Sequence, residues 1–263
     1  MIDKSIVSQF SSLIYDSLGV RIPESKYFQL EYKLERIVRK EKFKDLKEFY
    51  NIVSSGDKVA FECLVRNITT NHTFFFRESA HFTYLVEEIK SKGISKPIIW
   101  VAGSSSGEEV YTIAIELLEN HLPNFTIIAS DIDLDMLVKV KKGEYSEDRV
   151  EGLTEDILKK YFIYNKSRRV YKVKDLVKNH IRVKRLNFIE NITFEGQFDY
   201  VFCRNVLIYF DRVSQRKVVI NLLKNLKNNG RLFLGHSENL LTMTDLVTSV
   251  EHSIYRKSLN GKI

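Results

Sequence analysis

The sequence predicts an α/β protein in which a helical N-terminal segment precedes a mostly parallel, doubly wound β-sheet. Residues 1–70 place apolar side chains at helical spacing and show no strand alternation. From residue 96, apolar runs of strand length alternate with helical stretches, as in parallel strands joined by crossover helices. Residues 169–174 and 180–184 alternate polar and apolar side chains, which predicts a small antiparallel sheet inserted in the main domain.

The N-terminal segment is predicted to contain four helices. The first ends at Gly19, the second begins after Pro23, and residues 46–53 and 58–66 form the third and fourth. The second helix has an apolar stripe that faces the core. Because side chains three and four positions apart share a helix face, we expect its basic residues to line a different face; these are Lys33, Arg36 and Lys40.

The second part of the chain is predicted to supply the main sheet. Its apolar runs are strand-sized and cover residues 97–102, 125–130, 198–203 and 230–235. Helices are expected between them, over residues 108–118, 134–142 and 214–226. The antiparallel insert is expected at about residues 163–186, between the second and third strands.

Composition narrows the class of protein. The 263 residues are 44% hydrophobic and 29% charged, which is ordinary for a globular chain. The two cysteines, Cys63 and Cys203, exclude a disulfide scaffold and fit a reducing compartment. No apolar run approaches the length of a membrane span, and an acidic residue at position 3 is unlike a secretion signal. We therefore expect a soluble, cytoplasmic protein.

The net charge of +7 comes from one segment. Residues 159–185 hold 11 basic side chains and one acidic side chain, Asp175, so the remainder of the chain is slightly acidic. A generally basic, nucleic-acid-like surface is therefore not indicated. Two interpretations remain open, a solvated lysine-rich loop and a docking surface for an acidic partner.

A glycine- and serine-rich loop follows the first predicted strand, where open α/β sheets bind ligands. Residues 103–109 read Gly-Ser-Ser-Ser-Gly-Glu-Glu, which lacks the three-glycine spacing of dinucleotide sites. An acidic residue at the end of the loop would repel a phosphate at contact distance. The loop therefore suits a ligand with a cationic group, although a plain turn with an acidic helix N-terminus has the same pattern.

A second acidic residue, Asp131, ends the second predicted strand, about 23 residues beyond Glu108. A carboxylate at this position can accept hydrogen bonds from two ribose hydroxyls. Asp133 could instead cap the following helix. An acidic loop and a ribose-binding acid without a phosphate signature indicate a positively charged nucleoside, and S-adenosylmethionine fits that description.

Five segments together resemble the successive motifs of the CheR-type chemotaxis methyltransferases, in order and spacing over nearly the whole chain; they are residues 71–78, 107–109, 129–133, 203–210 and 235–238. The resemblance implies a helical domain over residues 1–70, a linker and first helix over 71–95, and a Rossmann-like methyltransferase domain over 96–263 that contains the small β-subdomain. Val110 stands where the family usually has proline, and the loop has serines where alanine is frequent.

The resemblance also implies site residues. Those carried over as cofactor contacts are Asn71, Thr73, Arg77, Glu108, Asp131, Asn187, Phe188, Arg204 and Asn205. Those carried over as the catalytic pair are Arg77 and Tyr209. No metal is implied. Three histidines are expected to be structural; they are His72, His81 and His236. The family's substrate is a glutamate side chain, which is ionised at neutral pH and needs no base to attack the methyl group of the cofactor. Cys203 is expected to pack in the core.

The activity implied by the resemblance is methyl transfer from S-adenosylmethionine to glutamate side chains of chemotaxis receptors, with S-adenosylhomocysteine as product. Three alternatives are disfavoured. A nucleic-acid methyltransferase usually has Asn or Asp followed by Pro-Pro-Tyr, whereas residues 205–209 contain no proline. A non-catalytic adaptor would have lost some of the cofactor residues. A nicotinamide dehydrogenase would carry the glycine fingerprint.

Partners are also implied by the resemblance. Lys33, Arg36 and Lys40 are expected either to dock on the receptor's glutamate-rich methylation region or to be solvated. Some family members tether to a peptide at the receptor's C-terminus through a glycine-rich loop of the β-subdomain. Residues 163–169 contain no glycine, so we expect that this peptide is not required. Neither nucleic-acid binding nor membrane insertion is expected.

Overall fold

The computed structural model of the chain describes residues 4–258. Four helices at the N-terminal end surround one apolar core; they are α1 (Lys4–Leu18), α2 (Tyr27–Glu41), α3 (Leu46–Ser54) and α4 (Lys58–Ile68). A 3-10 turn, Glu24–Lys26, follows Pro23 and leads into α2. Asp45 and Asp57 begin α3 and α4 by accepting hydrogen bonds from backbone N–H groups of the first turn. The four predicted helices are confirmed.

The rest of the chain alternates strands and helices. Its helices are α5 (Ala80–Lys92), α6 (Glu108–Glu119), α7 (Leu134–Lys142), α8 (Glu147–Val150), α9 (Glu155–Tyr161), α10 (Asp175–Lys178) and α11 (Arg212–Asn225). Its strands are β1 (Ile98–Ala102), β2 (Thr126–Asp131), β3 (Glu144–Ser146), β4 (Phe162–Asn165), β5 (Val170–Val173), β6 (Ile181–Arg185), β7 (Phe198–Cys203), β8 (Leu226–Leu234), β9 (Val247–Glu251) and β10 (Ile254–Lys257).

Seven of these strands form the main sheet, in the order β6-β2-β1-β7-β8-β10-β9. The first five run parallel, and β10 and β9 add an antiparallel edge. Alternate side chains of β1 enter different cores: Ile99 and Val101 lie on one side of the sheet, Trp100 and Ala102 on the other. Cys203 packs in the second core, as expected. Burial on both faces explains why these strands read as unbroken apolar runs.

A three-stranded antiparallel sheet in the order β3-β5-β4 forms the insert. The prediction of which strands form this insert is wrong for one strand. Residues 180–184 were expected to pair within it, but they belong to β6, which runs parallel to β2 at the edge of the main sheet. Their alternation reflects an edge strand that is covered on one side only. The missing strand of the small sheet is β3, so the insert covers residues 144–178.

Neighbouring acids neutralise about half of the charge of the basic segment, residues 159–185. Six of its eleven cations form ion pairs with carboxylates; they are Lys159, Lys160, Arg168, Arg169, Lys178 and Arg185. Five of the six carboxylates come from outside the segment. Exposed pairs of this kind add little stability, but they reduce the local positive field. Within residues 4–258, no helix combines the length and apolar character needed to cross a bilayer.

Candidate active site

A cavity of about 330 Å³ lies at the carboxyl edge of the parallel strands, where the N-terminal helices meet the sheet. Ligands of open α/β sheets bind at this edge, and the volume is in the range of small-molecule sites. Nine of the ten predicted site residues line the cavity, namely Asn71, Thr73, Arg77, Asp131, Asn187, Phe188, Arg204, Asn205 and Tyr209. The residues that end or follow β2, β6 and β7 converge here because parallel strands end at the same edge, and residues 71–77 of the linker join them.

The tenth predicted residue, Glu108, does not line the cavity. Its side chain is fully buried beneath the loop, where Ser106 Oγ donates to Oε2 at 2.7 Å and Arg149 Nε donates to Oε1 at 3.0 Å. The neighbouring Glu109 lines the cavity instead. Successive helix positions differ by about 100°, so only one of the two acids at the start of α6 can face the ligand. No local sequence signal distinguishes them.

The serine loop, defined as residues 103–109, holds the Asp131 carboxylate in place. The Ser105 N–H donates to Oδ2 at 2.8 Å, and the Asp133 N–H donates to Oδ1 at 3.0 Å. Burial raises the pKa of Asp131 to about 6. Gly103 has a φ of +82°, and a Cβ there would lie 2.5 Å from Val206 Cγ2. The loop thus requires glycine at its first position.

Four of the eight described non-glycine residues with positive φ line the cavity or flank a residue that does. Ser105 and Asn205 line it with φ values of +47° and +57°. Phe76 and Glu78, on either side of Arg77, have φ values of +58° and +53°. Positive φ is uncommon for residues other than glycine, and it is tolerated where the surrounding structure holds the backbone in place. Such strain is typical of functional sites.

Asn71 anchors the linker that follows α4. Its Nδ2 donates to Asp133 Oδ2 at 3.2 Å, as does Thr69 Oγ1 at the same distance. Asp133 also accepts from the Asp135 N–H as the N-cap of α7, so the capping interpretation of Asp133 is confirmed. Ser105 Oγ donates to the Asn71 carbonyl at 3.2 Å. Linker, serine loop and strand end are therefore joined into one wall of the cavity.

Arg204 lies at the centre of a buried ion network. Its Nη1 donates to Glu109 Oε2 at 2.7 Å, and its Nη2 donates to Glu78 Oε2 at 2.9 Å and to the Arg77 carbonyl at 2.6 Å. Although burial alone would raise the pKa of Glu78, the hydrogen bond and charge of Arg204 hold it below its ordinary value. Because two carboxylates and a carbonyl engage its terminal nitrogens, Arg204 supports the cavity wall and fixes the backbone of Arg77.

The two residues expected to be catalytic, Arg77 and Tyr209, are far apart in sequence and line the same cavity. Arg77 has a quarter of its side chain exposed, and its Nη1 makes one long hydrogen bond, of 3.3 Å, to the His72 carbonyl. Its Nε lies 3.9 Å from Glu78 Oε1, and its Nη2, which makes no hydrogen bond to another described residue, is available to a ligand. Tyr209 ends the 3-10 helix Leu207–Tyr209, and its carbonyl accepts from the Arg21 N–H at 3.3 Å.

Glu238 supports the site without having been assigned a role from sequence. Its carboxylate accepts from the backbone N–H groups of Asn205, Leu207 and Gly235 at 2.7 Å, and of Ile208 at 3.3 Å. It therefore organises the segment that carries Asn205 and Tyr209. The signal in the sequence is the segment 235–238, which belongs to the family pattern but whose function is visible only in three dimensions.

Two histidines lie close to Glu78 on the far side of this network. Glu78, His81 and His236 each place a potential ligand atom within 4.8 Å of the others. The Glu78 carboxylate is already paired with Arg204. Burial lowers the pKa of His81 to about 4, so this side chain is neutral at physiological pH.

Comparison with known proteins identifies the family. Residues 7–69 match the CheR methyltransferase all-alpha domain, and residues 71–256 match the CheR methyltransferase SAM binding domain. The chain belongs to the CheR methyltransferase family. It is 35% identical over 255 residues to the chemotaxis protein methyltransferase of Borreliella burgdorferi, covering 91% of this chain and 89% of that protein. It is 31% identical to the Escherichia coli chemotaxis protein methyltransferase, covering 95% of this chain and 90% of that protein.

This CheR family member is an S-adenosylmethionine-dependent methyltransferase. The residues present fit that cofactor. The buried Asp131 carboxylate at the end of β2 offers acceptor oxygens to ribose hydroxyls, and the Glu109 carboxylate offers a counter-charge to an amino group. Gly103 lines the cavity with backbone alone.

Proposed function

We propose that this chain transfers the methyl group of S-adenosylmethionine to glutamate side chains of methyl-accepting chemotaxis receptors. The products are a glutamate methyl ester and S-adenosylhomocysteine. The observation that carries the proposal is that Arg77 and Tyr209 line the same cavity as the residues assigned to the cofactor. The curated relatives, which are named as chemotaxis protein methyltransferases, support the receptor as substrate.

S-adenosylmethionine supplies an electrophilic methyl group on sulfur when it is bound. Asp131 would hold the ribose, with Glu109 rather than Glu108 facing the cationic part of the molecule. Asn71 would act by fixing the linker, because its amide is engaged by Asp133. Thr73, Phe188 and Asn205 would contact the cofactor. The Asn187 amide donates to the Ser17 carbonyl at 2.8 Å and to Glu190 Oε1 at 2.9 Å, so Asn187, like Asn71, would act by fixing its segment. Arg204 would support the cavity wall, because its terminal nitrogens are occupied.

Arg77 would hold the substrate carboxylate through its available donors, as a charge-assisted pair. Tyr209 would orient the attacking oxygen from its hydroxyl. A glutamate is ionised at neutral pH, so the site needs no general base, and the neutral, buried His81 fits a structural role. The main task of the protein is then positioning, which can lower a barrier by about 7–11 kcal/mol.

The structure changes the expected receptor-docking face on α2. Lys33 is half-buried, and its Nζ donates to the Ile68 carbonyl at 3.4 Å, while Arg36 Nη2 donates to Asn67 Oδ1 at 3.1 Å. These two cations therefore lie against the end of α4, whose Ile68 lines the cavity. We propose that they provide positive charge beside the entrance for a glutamate-rich receptor segment, with Lys40 further out on the exposed surface.

The receptor's C-terminal peptide is proposed to be dispensable. The turn between β4 and β5 is tied back on itself, since Asn165 Oδ1 accepts from the Arg168 N–H at 3.1 Å and from Ser167 Oγ at 2.8 Å. Arg168 and Arg169 pair with Glu144 and Glu147. A short turn held in this way disfavours the addition of a receptor peptide as a further strand of the small sheet. The paired state of the basic segment also supports the absence of nucleic acid as a partner.

The decisive experiment is incubation of the chain with methyl-labelled S-adenosylmethionine and receptor-containing membranes. Label that is released by base as methanol would establish a carboxyl methyl ester, and mass spectrometry would then locate the glutamates. Membranes that lack the receptors serve as the control. Label that stays in protein after base treatment would contradict the proposal. We place the reaction in the cytoplasm, where the receptors' methylated region would be accessible.

A further inference from the structure

The insert, residues 144–178, contacts the serine loop through two polar side chains. From β3, Tyr145 Oη donates to the Ser106 carbonyl at 2.8 Å. From α8, Arg149 Nε donates to Glu108 Oε1 at 3.0 Å, and its Nη2 donates to Ser106 Oγ at 3.1 Å. None of these four residues, Ser106, Glu108, Tyr145 and Arg149, lines the cavity. The insert therefore forms the outer support of a loop whose inner side faces the ligand.

Arg149 neutralises a charge that has no access to water. Glu108 is fully buried, whereas about a third of the Arg149 side chain is exposed. Among the described residues, Arg149 is the cation that pairs with Glu108. A buried carboxylate that loses its partner retains the full cost of its desolvation. Removal of Arg149 would therefore push Glu108 toward water, and the loop would move with it.

Movement of the serine loop would displace the acidic residues that face the ligand. Ser105 donates its N–H to Asp131, and Glu109, the residue after Glu108, lines the cavity. Gly107, between Ser105 and Glu109, packs closely against the insert, since a Cβ there would lie 3.0 Å from Tyr145 Oη. A displacement at Glu108 thus alters both acidic groups that face the ligand.

The same insert also grips the linker that carries Arg77. The ring of Phe75 packs edge-on against Tyr145, with centroids 5.0 Å apart, and against Phe162 of β4 at 5.9 Å. Phe75 is buried. The insert therefore holds two walls of the cavity, the serine loop through polar contacts and the linker through aromatic packing.

We propose that Arg149 is a positioning residue for the cofactor, and that the insert clamps the serine loop through the Arg149–Glu108 ion pair. This inference rests on the proposed assignment of the cavity to S-adenosylmethionine. The clamp acts on binding of the cofactor and leaves the methyl-transfer step itself to the residues on the inner side of the cavity.

The test compares Arg149→Met with Arg169→Met. Arg169 belongs to the same insert and also pairs with a glutamate, Glu147, but it is exposed and does not touch the serine loop. Calorimetric affinity for S-adenosylhomocysteine should fall about tenfold or more in Arg149→Met, because a buried charge loses its partner. In Arg169→Met it should change by less than about twofold, as for an exposed pair. In receptor methylation, Arg149→Met should raise KM for S-adenosylmethionine while kcat stays near that of the wild type.

Two further variants separate positioning from a general loss of structure. Arg149→Lys keeps the charge and should restore part of the affinity. Adding Glu108→Gln to Arg149→Met removes the unpaired charge, so the double variant should bind S-adenosylhomocysteine more tightly than Arg149→Met alone. Wild-type affinity in Arg149→Met, or an equal loss in Arg169→Met, would overturn the proposal. Failure of the wild-type chain to bind S-adenosylhomocysteine would instead contradict the proposed function.

Discussion

The backbone N–H of Ser105 donates to Asp131 Oδ2 across 2.8 Å. This hydrogen bond joins the loop after β1 to the end of β2. Oδ1 of the same carboxylate accepts from the Asp133 N–H at 3.0 Å, and Asp131 lines the cavity. Ser105 adopts a positive φ to make it. A strained loop residue and a strand-end acid, 26 positions apart, thus form one half of the proposed ribose site.

Asp131→Ala should weaken binding of S-adenosylmethionine and of S-adenosylhomocysteine. Loss of a charged acceptor costs about 1.5–3 kcal/mol, and calorimetry measures this directly. Asp135→Ala is the matched control, because Asp135 is exposed and pairs with Arg66 away from the cavity. Equal affinity of the wild type and Asp131→Ala would remove Asp131 from the ribose site.

Affinity for S-adenosylhomocysteine should fall as the pH drops through about 6. Burial raises the pKa of Asp131 to about 6, and hydroxyl donors bind the ionised form better than the protonated form. The ligand therefore favours the deprotonated state, which is lost below that pH. Titration calorimetry between pH 5 and pH 8 would show the decline, and Asp131→Asn should flatten it. A profile that is identical in both proteins would exclude this titration.

Tyr209→Phe and Arg77→Ala should each reduce kcat for receptor methylation while the fold is kept. Removal of one positioned donor from an active site typically costs about 100-fold or more. Tyr164→Phe controls for loss of a tyrosine hydroxyl, since Tyr164 is exposed on the insert and bonds Glu147. Full turnover by Tyr209→Phe would mean that its hydroxyl has no part in the reaction.

Glu238→Gln should lower the stability of the protein by about 2–4 kcal/mol, because buried N–H donors lose a charged acceptor. The substituted amide also places its own N–H₂ group against backbone N–H groups of residues 205, 207, 208 and 235. Thermal unfolding measures the change, with exposed Glu251→Gln as the control. An unchanged melting temperature would show that the segment after β7 keeps its conformation without the Glu238 carboxylate.

A receptor truncated by its last few residues should be methylated at an undiminished rate. The reason is the short, glycine-free turn after β4, which is tied to Glu144 and Glu147 by Arg168 and Arg169. Initial rates on full-length and truncated receptors in matched membranes provide the measurement. A large loss of rate on truncation would show that the insert recruits the C-terminal peptide.

Much of the site follows from local sequence. Strand-length apolar runs identified β1, β2 and β7, and parallel strands end at the same edge, so the residues after them had to meet. Asp131, Arg204 and Asn205 are brought together in this way. The motif resemblance added Arg77 and Tyr209, which lie on segments whose position no periodicity reveals.

Tertiary packing decided what neighbouring positions with the same chemistry do. Glu108 and Glu109 are indistinguishable in sequence, but the approach of Arg149 from the insert buries one and leaves the other facing the cavity. In the same way, residues 181–185 alternate like a strand of the insert, yet β2 offers them a longer parallel edge. The sequence by itself determined the strands and helices that carry the site and the sheet edge where the site lies, because periodicity and strand polarity are local properties. Only the tertiary structure decided which acid faces the ligand and which strand completes each sheet, because partners distant in the chain compete for these groups.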